Sequence, residues 1–301
     1  MLDNNTFYAV PGSPHVYVLG SDRKLWLESG PWGSVPPPRQ QVDGDVLAFQ
    51  AVDDQHAFVL GTDRKLWYES GPWGSVPPSR QQVDADVLAF EYLNPDEIYV
   101  LGTDRKLWYE VSPWGHVPPK RWQVDGNVEA FDADLTASEA VYVLGTDRKL
   151  WYETGPWGPV PPKRSQVDGN VLVFQALHSQ TAFVLGTDRK LWSERGPWGP
   201  VPPPRQQVDA NVLTFDAGFY QRLGVIFVLG TDRNLWHATR PLGPLPPPRR
   251  QVDGNVQAFQ APVDNSEVLV LGTDGNLWDE TAPWGTVPPA RQQVDGNVAL
   301  N

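Results

Sequence analysis

The chain has no cysteine, which excludes disulfide bonds, thiolate metal sites and cysteine nucleophiles. It also lacks a basic surplus, since 24 Lys and Arg stand against 36 Asp and Glu, giving a net charge of −12. Nucleic-acid binding depends on cationic side chains that neutralise phosphates, so nucleic acid is not expected as a main partner. An anionic membrane surface is disfavoured for the same reason.

Long apolar runs are absent as well. No stretch approaches the roughly 18 apolar residues that a membrane-spanning helix needs, so membrane insertion is not expected. Residues 1–5 lack the basic and apolar regions of a signal peptide. We therefore expect a protein that is cytoplasmic or released without a visible signal, and the sequence leaves its compartment unknown.

What the chain does contain is the phrase Gly-Thr-Asp-Arg-Lys-Leu-Trp, which occurs seven times with small changes. Successive copies are 41, 41, 43, 41, 44 and 42 residues apart. A period of this length, filled with short β-like runs, is typical of the blades of a β-propeller. The tryptophans that end the seven copies are Trp26, Trp67, Trp108, Trp151, Trp192, Trp236 and Trp278.

One copy illustrates the reading of a blade. Residues 87–92 predict a first strand, and residues 97–102, rich in β-branched and aromatic side chains, predict a second strand. A tight turn leads to a third strand at residues 107–110, and a short fourth strand is predicted at residues 122–125. The third and fourth strands are separated by a proline-rich loop, and 27 of the 31 prolines lie in loops of this kind, where no ladder hydrogen bond is lost.

No sustained apolar period of 3.6 residues occurs, so helix is not expected. The sequence therefore predicts an all-β fold, a seven-bladed β-propeller with four antiparallel strands per blade, as one domain over residues 1–301. Residues 5–10 align with a first strand, and the chain ends just beyond a fourth strand. We expect the ends to meet without exchange of a strand, with residues 298–300 adding a few pairs beside the first blade.

Two segments carry a resemblance to a known family. Residues 272–278, Gly-Thr-Asp-Gly-Asn-Leu-Trp, resemble the hairpin motif of tectonin-type β-propellers and of related bacterial seven-bladed propeller lectins. Residues 121–128, Arg-Trp-Gln-Val-Asp-Gly-Asn-Val, are similar to the Trp-x-Gln-Val/Ile-x-Gly segment of tectonin repeats. Many members bind glycans at pockets between blades or on blade loops, so the resemblance implies a lectin-like propeller. Only one copy has Trp before the Gln, and the Pro-Trp-Gly-x-Val-Pro-Pro loop matches no family feature, so no sugar contact is transferred to a residue here.

The proline-rich loops carry a second set of tryptophans, in six of the seven copies. An indole between rigid prolines suits stacking on the C–H face of a sugar, and Arg and Asp side chains nearby can bind its hydroxyls. The predicted ligand-binding tryptophans are Trp32, Trp73, Trp114, Trp157, Trp198 and Trp284. The predicted polar contacts are Arg39, Arg80, Arg121, Arg164, Arg205, Arg291, Asp43, Asp84, Asp125, Asp168, Asp209 and Asp295. The alternative is structural: a Pro–Trp clasp over the outer blade edge, with Arg bracing the loop, protects that edge from strand pairing.

Other repeated residues receive structural interpretations. The tryptophan of the third strand is expected to fill the core between blades. The turn aspartates, such as Asp63 and Asp104, are expected to cap the turn backbone. The five histidines occupy unrelated positions of the repeat and form no metal-ligand pair, so neither a metal nor a cofactor is expected.

The variation between copies bears on which kind of ligand the protein binds. Loops between the first and second strands differ in every copy, whereas those after the third strand are nearly constant. A repeated small ligand would be read by the constant loops and a unique protein partner by the variable ones. The leading hypothesis is a multivalent, non-enzymatic carbohydrate-binding propeller whose partners are glycans or glycoconjugates on cell surfaces. The alternative is a protein-interaction scaffold; an enzyme is not expected, because no copy carries an asymmetric catalytic cluster.

Overall fold

The computed structural model describes residues 7–10, 13–33, 35–133, 139–218, 225–239, 248–261, 267–296 and 298. Over these ranges the regular structure consists of 28 β-strands and no helix. The strands form seven separate sheets of four, and within each sheet the spatial order equals the order along the chain. All neighbouring strands run antiparallel. The predicted seven-bladed, all-β propeller is confirmed.

The first and second strands of each blade form its inner half, and they recur every four strands along the chain. The first strands are β1 (Phe7–Ala9), β5 (Val46–Ala51), β9 (Val87–Asn94), β13 (Val128–Ala133), β17 (Val171–His178), β21 (Val212–Gly218) and β25 (Val256–Gln260). The second strands are β2 (His15–Leu19), β6 (His56–Gly61), β10 (Glu97–Gly102), β14 (Ala140–Gly145), β18 (Thr181–Gly186), β22 (Val225–Gly230) and β26 (Glu267–Gly272).

The outer two strands complete each sheet. The third strands are β3 (Leu25–Ser29), β7 (Leu66–Ser70), β11 (Leu107–Val111), β15 (Leu150–Thr154), β19 (Lys190–Arg195), β23 (Leu235–Thr239) and β27 (Leu277–Thr281). The fourth strands are β4 (Arg39–Asp43), β8 (Ser79–Asp84), β12 (Lys120–Asp125), β16 (Lys163–Asp168), β20 (Arg205–Ala210), β24 (Arg249–Asp253) and β28 (Ala290–Asp295).

The hydrophobic core lies between blades rather than within one. Second strands are apolar at every central position, and Ala57, Phe58, Val59 and Leu60 of β6 are all buried. A strand can bury consecutive side chains only when both faces of its sheet are covered. Phe58 and Leu60 accordingly share one buried cluster with residues of the next blade, including Ile98.

First strands of neighbouring blades are joined side chain to backbone. Gln50 Oε1 accepts a hydrogen bond from the N–H of Tyr92, 2.8 Å away, and Glu91 Oε2 accepts from the N–H of Ala133 at 2.9 Å. The same link continues with Asp132, Gln175 and Asp216, each of which accepts from a backbone N–H of the following blade. These five links tie consecutive first strands together from the second blade to the seventh.

The ring closes without exchange of a strand, as predicted, because the first and last sheets each consist of four consecutive strands. Val298 forms an isolated antiparallel bridge with Gly20, and its N–H donates to the carbonyl of Gly275 at 3.2 Å. The N–H of Gly33 donates to the carbonyl of Gln293 at 3.1 Å, which joins the first blade to the last. The expected pairs at residues 299 and 300, and the start of the predicted first strand at residues 5 and 6, lie outside the described residues.

The turns between second and third strands are capped as predicted. In the second blade, Asp63 Oδ1 accepts from the N–H of Lys65 at 3.1 Å, and the equivalent aspartate caps the turn in all seven blades. A Cβ added to Gly61 would lie 2.7 Å from this Oδ1. The glycine that opens each turn is therefore required by the capping carboxylate.

We predict that Gly61→Ala lowers the free energy of unfolding by about 1–3 kcal/mol, because the new methyl group displaces the Asp63 cap. Gly126→Ala is the matched control, since a Cβ there meets nothing closer than Gln123 Nε2 at 3.8 Å. Urea or thermal unfolding of both variants measures the difference. Equal stability of the two variants would contradict the proposed role of the glycine.

Candidate functional site

Six of the seven third strands present a tryptophan and a glutamate on one face. In β7 these are Trp67 and Glu69, and the fourth strand places Arg80 directly opposite Glu69. Since side chains alternate along a strand, Trp67, Glu69 and Arg80 lie on the same face of the blade. The guanidinium carbon of Arg80 lies 4.2 Å from the centroid of the Trp67 ring, within cation–π distance.

This Arg–Trp stack occurs in every blade, with the guanidinium carbon 4.2 to 4.4 Å from the ring centroid. The arginines retain about a third of their side-chain exposure, for example 30% for Arg80. The seven stacked pairs are Arg39–Trp26, Arg80–Trp67, Arg121–Trp108, Arg164–Trp151, Arg205–Trp192, Arg249–Trp236 and Arg291–Trp278. One fourth-strand arginine therefore holds one third-strand indole throughout the ring.

The same arginines reach the preceding blade. Arg80 Nη1 lies 3.4 Å from Asp43 Oδ2, at the end of the fourth strand of the first blade. Equivalent ion pairs join Arg121 to Asp84, Arg164 to Asp125, Arg205 to Asp168 and Arg291 to Asp253, each at 3.1 Å. Arg249 contacts Asp209 in the same way, and Arg39 contacts Asp295 at 3.9 Å across the closure of the ring. The structure thus brings together the predicted Arg and Asp residues, with each pair drawn from two neighbouring blades.

A fully buried glutamate completes each of six interfaces. Glu69 has no exposed surface, and its Oε1 lies 3.8 Å from Arg80 Nη1. Burial raises the pKa of Glu69 to about 9, and the neighbouring Asp43 carboxylate adds to the rise. At neutral pH Glu69 therefore keeps its proton. The six glutamates are Glu28, Glu69, Glu110, Glu153, Glu194 and Glu280, and Ala238 takes this position in the sixth blade.

The tryptophans of the proline-rich loops have a different position from the one predicted. Trp73, Trp114 and Trp157 are each 7% exposed, and Trp284 is 6% exposed. Trp32 and Trp198 are half-buried. The four buried indoles offer little stacking surface to a sugar, whereas Trp32 and Trp198 keep part of theirs.

Contacts of the loop tryptophans explain their burial. The Trp114 ring stands edge-on to Phe58 of the preceding blade, with centroids 6.0 Å apart, and its Nε1 donates to the carbonyl of Pro95 at 3.1 Å. The N–H of Gly115 donates to the carbonyl of Gln82 in the preceding blade at 2.8 Å. The loop is a clasp that joins two blades, which was the structural alternative.

The third-strand tryptophans also differ from expectation, because they are half-buried rather than part of the core. Leu66, the residue before Trp67, is fully buried instead. All seven indoles of the Leu-Trp phrase retain exposed surface, each beside an arginine, whereas only Trp32 and Trp198 of the six loop tryptophans do so.

The buried glutamates were missed by the sequence interpretation. The signal was present, since six copies read Leu-Trp-x-Glu with the Glu in a strand that is covered on both faces. Among the described residues, no group of three or more His, Asp or Glu side chains is arranged to hold a metal ion. In the described ranges no helix is long and apolar enough to cross a membrane.

We predict that stability falls as pH rises from about 5 to about 9. The unfolded glutamate loses its proton near its ordinary pKa of 4.5, whereas burial raises the folded pKa of Glu69, Glu110 and Glu153 to about 9. The folded state therefore binds more protons in this window, so its stabilisation is complete below pH 4.5 and is lost as pH rises through 9. Thermal unfolding across this range measures the effect.

Glu69→Gln tests the source of that dependence, because the amide keeps the shape and donates an N–H to Asp43 without titrating. We expect a shallower fall of the melting temperature with pH than in the wild type. Asp45→Asn, at an exposed position where five other copies carry Asn, is the control and should leave the slope unchanged. A slope in Glu69→Gln that equals the wild-type slope would contradict the assignment.

Comparison with known proteins adds a structural neighbour. No protein-family model matches the chain, and no curated protein matches its sequence. The crystal structure of the N-terminal domain of Nup159 is similar, with a TM-score of 0.55 over 88% of this chain and 86% of that chain. The sequence identity is 12%, so this likeness bears on the fold alone.

Proposed function

We propose that the chain is a multivalent, non-enzymatic carbohydrate-binding propeller whose repeated sites are the grooves between blades. The wall of each site is the third-strand tryptophan with its stacked arginine. The observation that carries the proposal is the repetition of one half-buried Trp–Arg pair at seven equivalent positions, with almost the same separation. Indole offers an apolar surface for the C–H groups of a sugar, and guanidinium offers planar N–H donors for its hydroxyls.

The neighbouring groups keep this wall in place. Arg80 is held by Asp43 of the preceding blade and by the buried Glu69 of its own blade. The loop clasp of Trp73 and Gly74 fixes the separation of the same two blades. In this proposal the predicted Arg contacts the sugar, and the predicted Asp holds that Arg in place. The loop tryptophans hold neighbouring blades together.

Repetition matters for affinity. A single shallow site of roughly millimolar strength contributes only about −4 kcal/mol. Several such sites on one rigid ring raise the apparent affinity for a densely glycosylated surface by roughly 10²–10⁴. This gain in apparent affinity requires the same site to be present in several blades.

A glycan array followed by calorimetry tests the proposal. We expect Trp67→Ala to reduce the number of bound monosaccharides by one and the double variant Trp67→Ala/Trp108→Ala to reduce it by two. Retention on a glycan-coated surface should fall more steeply than the number of sites. Trp73→Phe, in the loop clasp, is the matched control and should keep the full number.

Two results would overturn this proposal. One is the absence of binding to every glycan on the array by the folded wild-type protein. The other is an unchanged number of sites in folded Trp67→Ala.

A protein-interaction scaffold is the second candidate, and one observation favours it. Six valines at the tips of the proline-rich loops are 44 to 49% exposed, an unusual repetition of apolar surface: Val35, Val76, Val117, Val160, Val201 and Val287. Replacement of Val76, Val117 and Val160 by Ser should abolish retention of a purified protein partner and leave glycan binding intact. Loss of glycan binding in the same variant would instead place the sugars at the loop tips.

A further inference from the structure

Two tyrosines break the regularity of the first strands. Tyr8 occupies a position where the other six copies carry Gln, Glu or Asp. Tyr92 occupies the next position of the repeat, where the other six copies carry Ala. In a chain whose copies are so similar, each of these positions is aromatic once.

Both exceptions line the same cavity, although they belong to different blades. The cavity has a volume of about 340 Å³ and lies where β1, β5 and β9 end, across the first three blades. This volume is within the range of small-molecule sites, which is roughly 300–1,000 Å³. The rest of the wall is largely aliphatic, with Val10, Val52 and Leu93 beside the two rings, and Gln50 adds an amide group.

The link between first strands is altered where the cavity lies. From the second blade to the seventh, a Gln, Glu or Asp side chain of one blade reaches the backbone N–H of the next blade, as Gln50 does with Tyr92. Tyr8 stands at the acceptor position of the first blade, and its rigid phenol ring is longer than Gln, Glu or Asp and has no carbonyl oxygen at the reach of the same link. Tyr92 adds a second ring, two blades away from Tyr8. Two aromatic side chains therefore line this cavity, whereas the equivalent positions in the other copies carry Ala and a Gln, Glu or Asp.

The polar groups around the cavity define the chemistry of a ligand. Gln50 uses its carbonyl oxygen for the Tyr92 N–H, which leaves its amide group as a donor. Burial raises the pKa of both Tyr8 and Tyr92, so their phenols are neutral at physiological pH. The Asp53 carboxylate at the rim is held by His56 Nδ1 at 2.9 and 3.0 Å and by the N–H of Gln55 at 2.7 Å.

We propose that this cavity binds one small, neutral aromatic molecule that carries a hydroxyl or carbonyl group. The two phenol rings supply stacking or edge contacts, and the aliphatic side chains supply apolar surface. A sugar ring needs more hydrogen-bond partners than the few groups here provide, and the rim carboxylate repels an anion. The site is single and asymmetric, so it is independent of the seven repeated grooves.

Titration of the full chain with 2-naphthol at pH 7 tests the proposal, by ligand fluorescence and by calorimetry. We expect saturable binding with one site per chain. Tyr92→Ala and Tyr8→Gln should each weaken binding at least tenfold, and both restore a residue that other copies carry at the same position, so the fold should tolerate them. Tyr109→Phe, outside the cavity, should bind with wild-type affinity.

Three results would overturn the inference: no saturable binding up to millimolar 2-naphthol, a stoichiometry near seven, or wild-type affinity in both folded tyrosine variants. The stoichiometry separates this site from the grooves, because ligand bound in the grooves would appear in several copies per chain. Glycan binding by Tyr92→Ala also distinguishes the cavity from the grooves. We expect it to be unchanged, so the failure of either proposal leaves the other intact.

Discussion

A blade with apolar side chains on both faces must be covered by a neighbour on each side, and the rest of the structure depends on this requirement. The buried clusters are shared between blades, as Phe58 and Ile98 show. Around them, three polar or aromatic devices fix the separation of neighbours: the first-strand link of Gln50 to Tyr92, the ion pair of Arg80 with Asp43, and the clasp of the proline-rich loop. They act at different radii, so an interface that has all three, such as that of the second and third blades, is fixed from the inner strand to the rim.

The buried glutamate also lies at these interfaces between blades. A charged carboxylate without exposed surface would be strongly destabilised, and a second carboxylate nearby would raise that cost further. Holding the proton on Glu69 removes its repulsion with Asp43, and Arg80 balances the charge that remains on Asp43. The sixth blade manages with Ala238 in that place, and there Arg249 and Asp209 pair without a glutamate. The ion pair therefore forms without the glutamate, which is an additional group at the other six interfaces.

The repeat period and the turn chemistry were sufficient to predict the blades, their number, the four strands and the cap by residues such as Asp63. They were not sufficient to predict which indole is exposed. Trp67 and Trp73 are six residues apart, and their burial is decided by the neighbouring blade, whose position the pattern of one copy does not contain. The ion pairs escaped for the same reason, since Arg80 meets an aspartate 37 residues earlier in the chain. The third-strand glutamates were missed, because the Leu-Trp-x-Glu pattern shows their place in a strand and not the protonation that burial imposes.

The consecutive order of strands within each blade has a consequence for how such a chain can change. Where a ring is closed by a strand borrowed from the other end, the boundary of a copy and the boundary of a sheet do not coincide. Here they do, because every sheet is made of four strands that follow one another along the chain. A gene segment that encodes one copy therefore encodes one whole sheet, and its duplication or loss adds or removes a sheet without leaving an unpaired remnant. Unequal recombination between such similar copies is then free to alter the size of the ring in whole units.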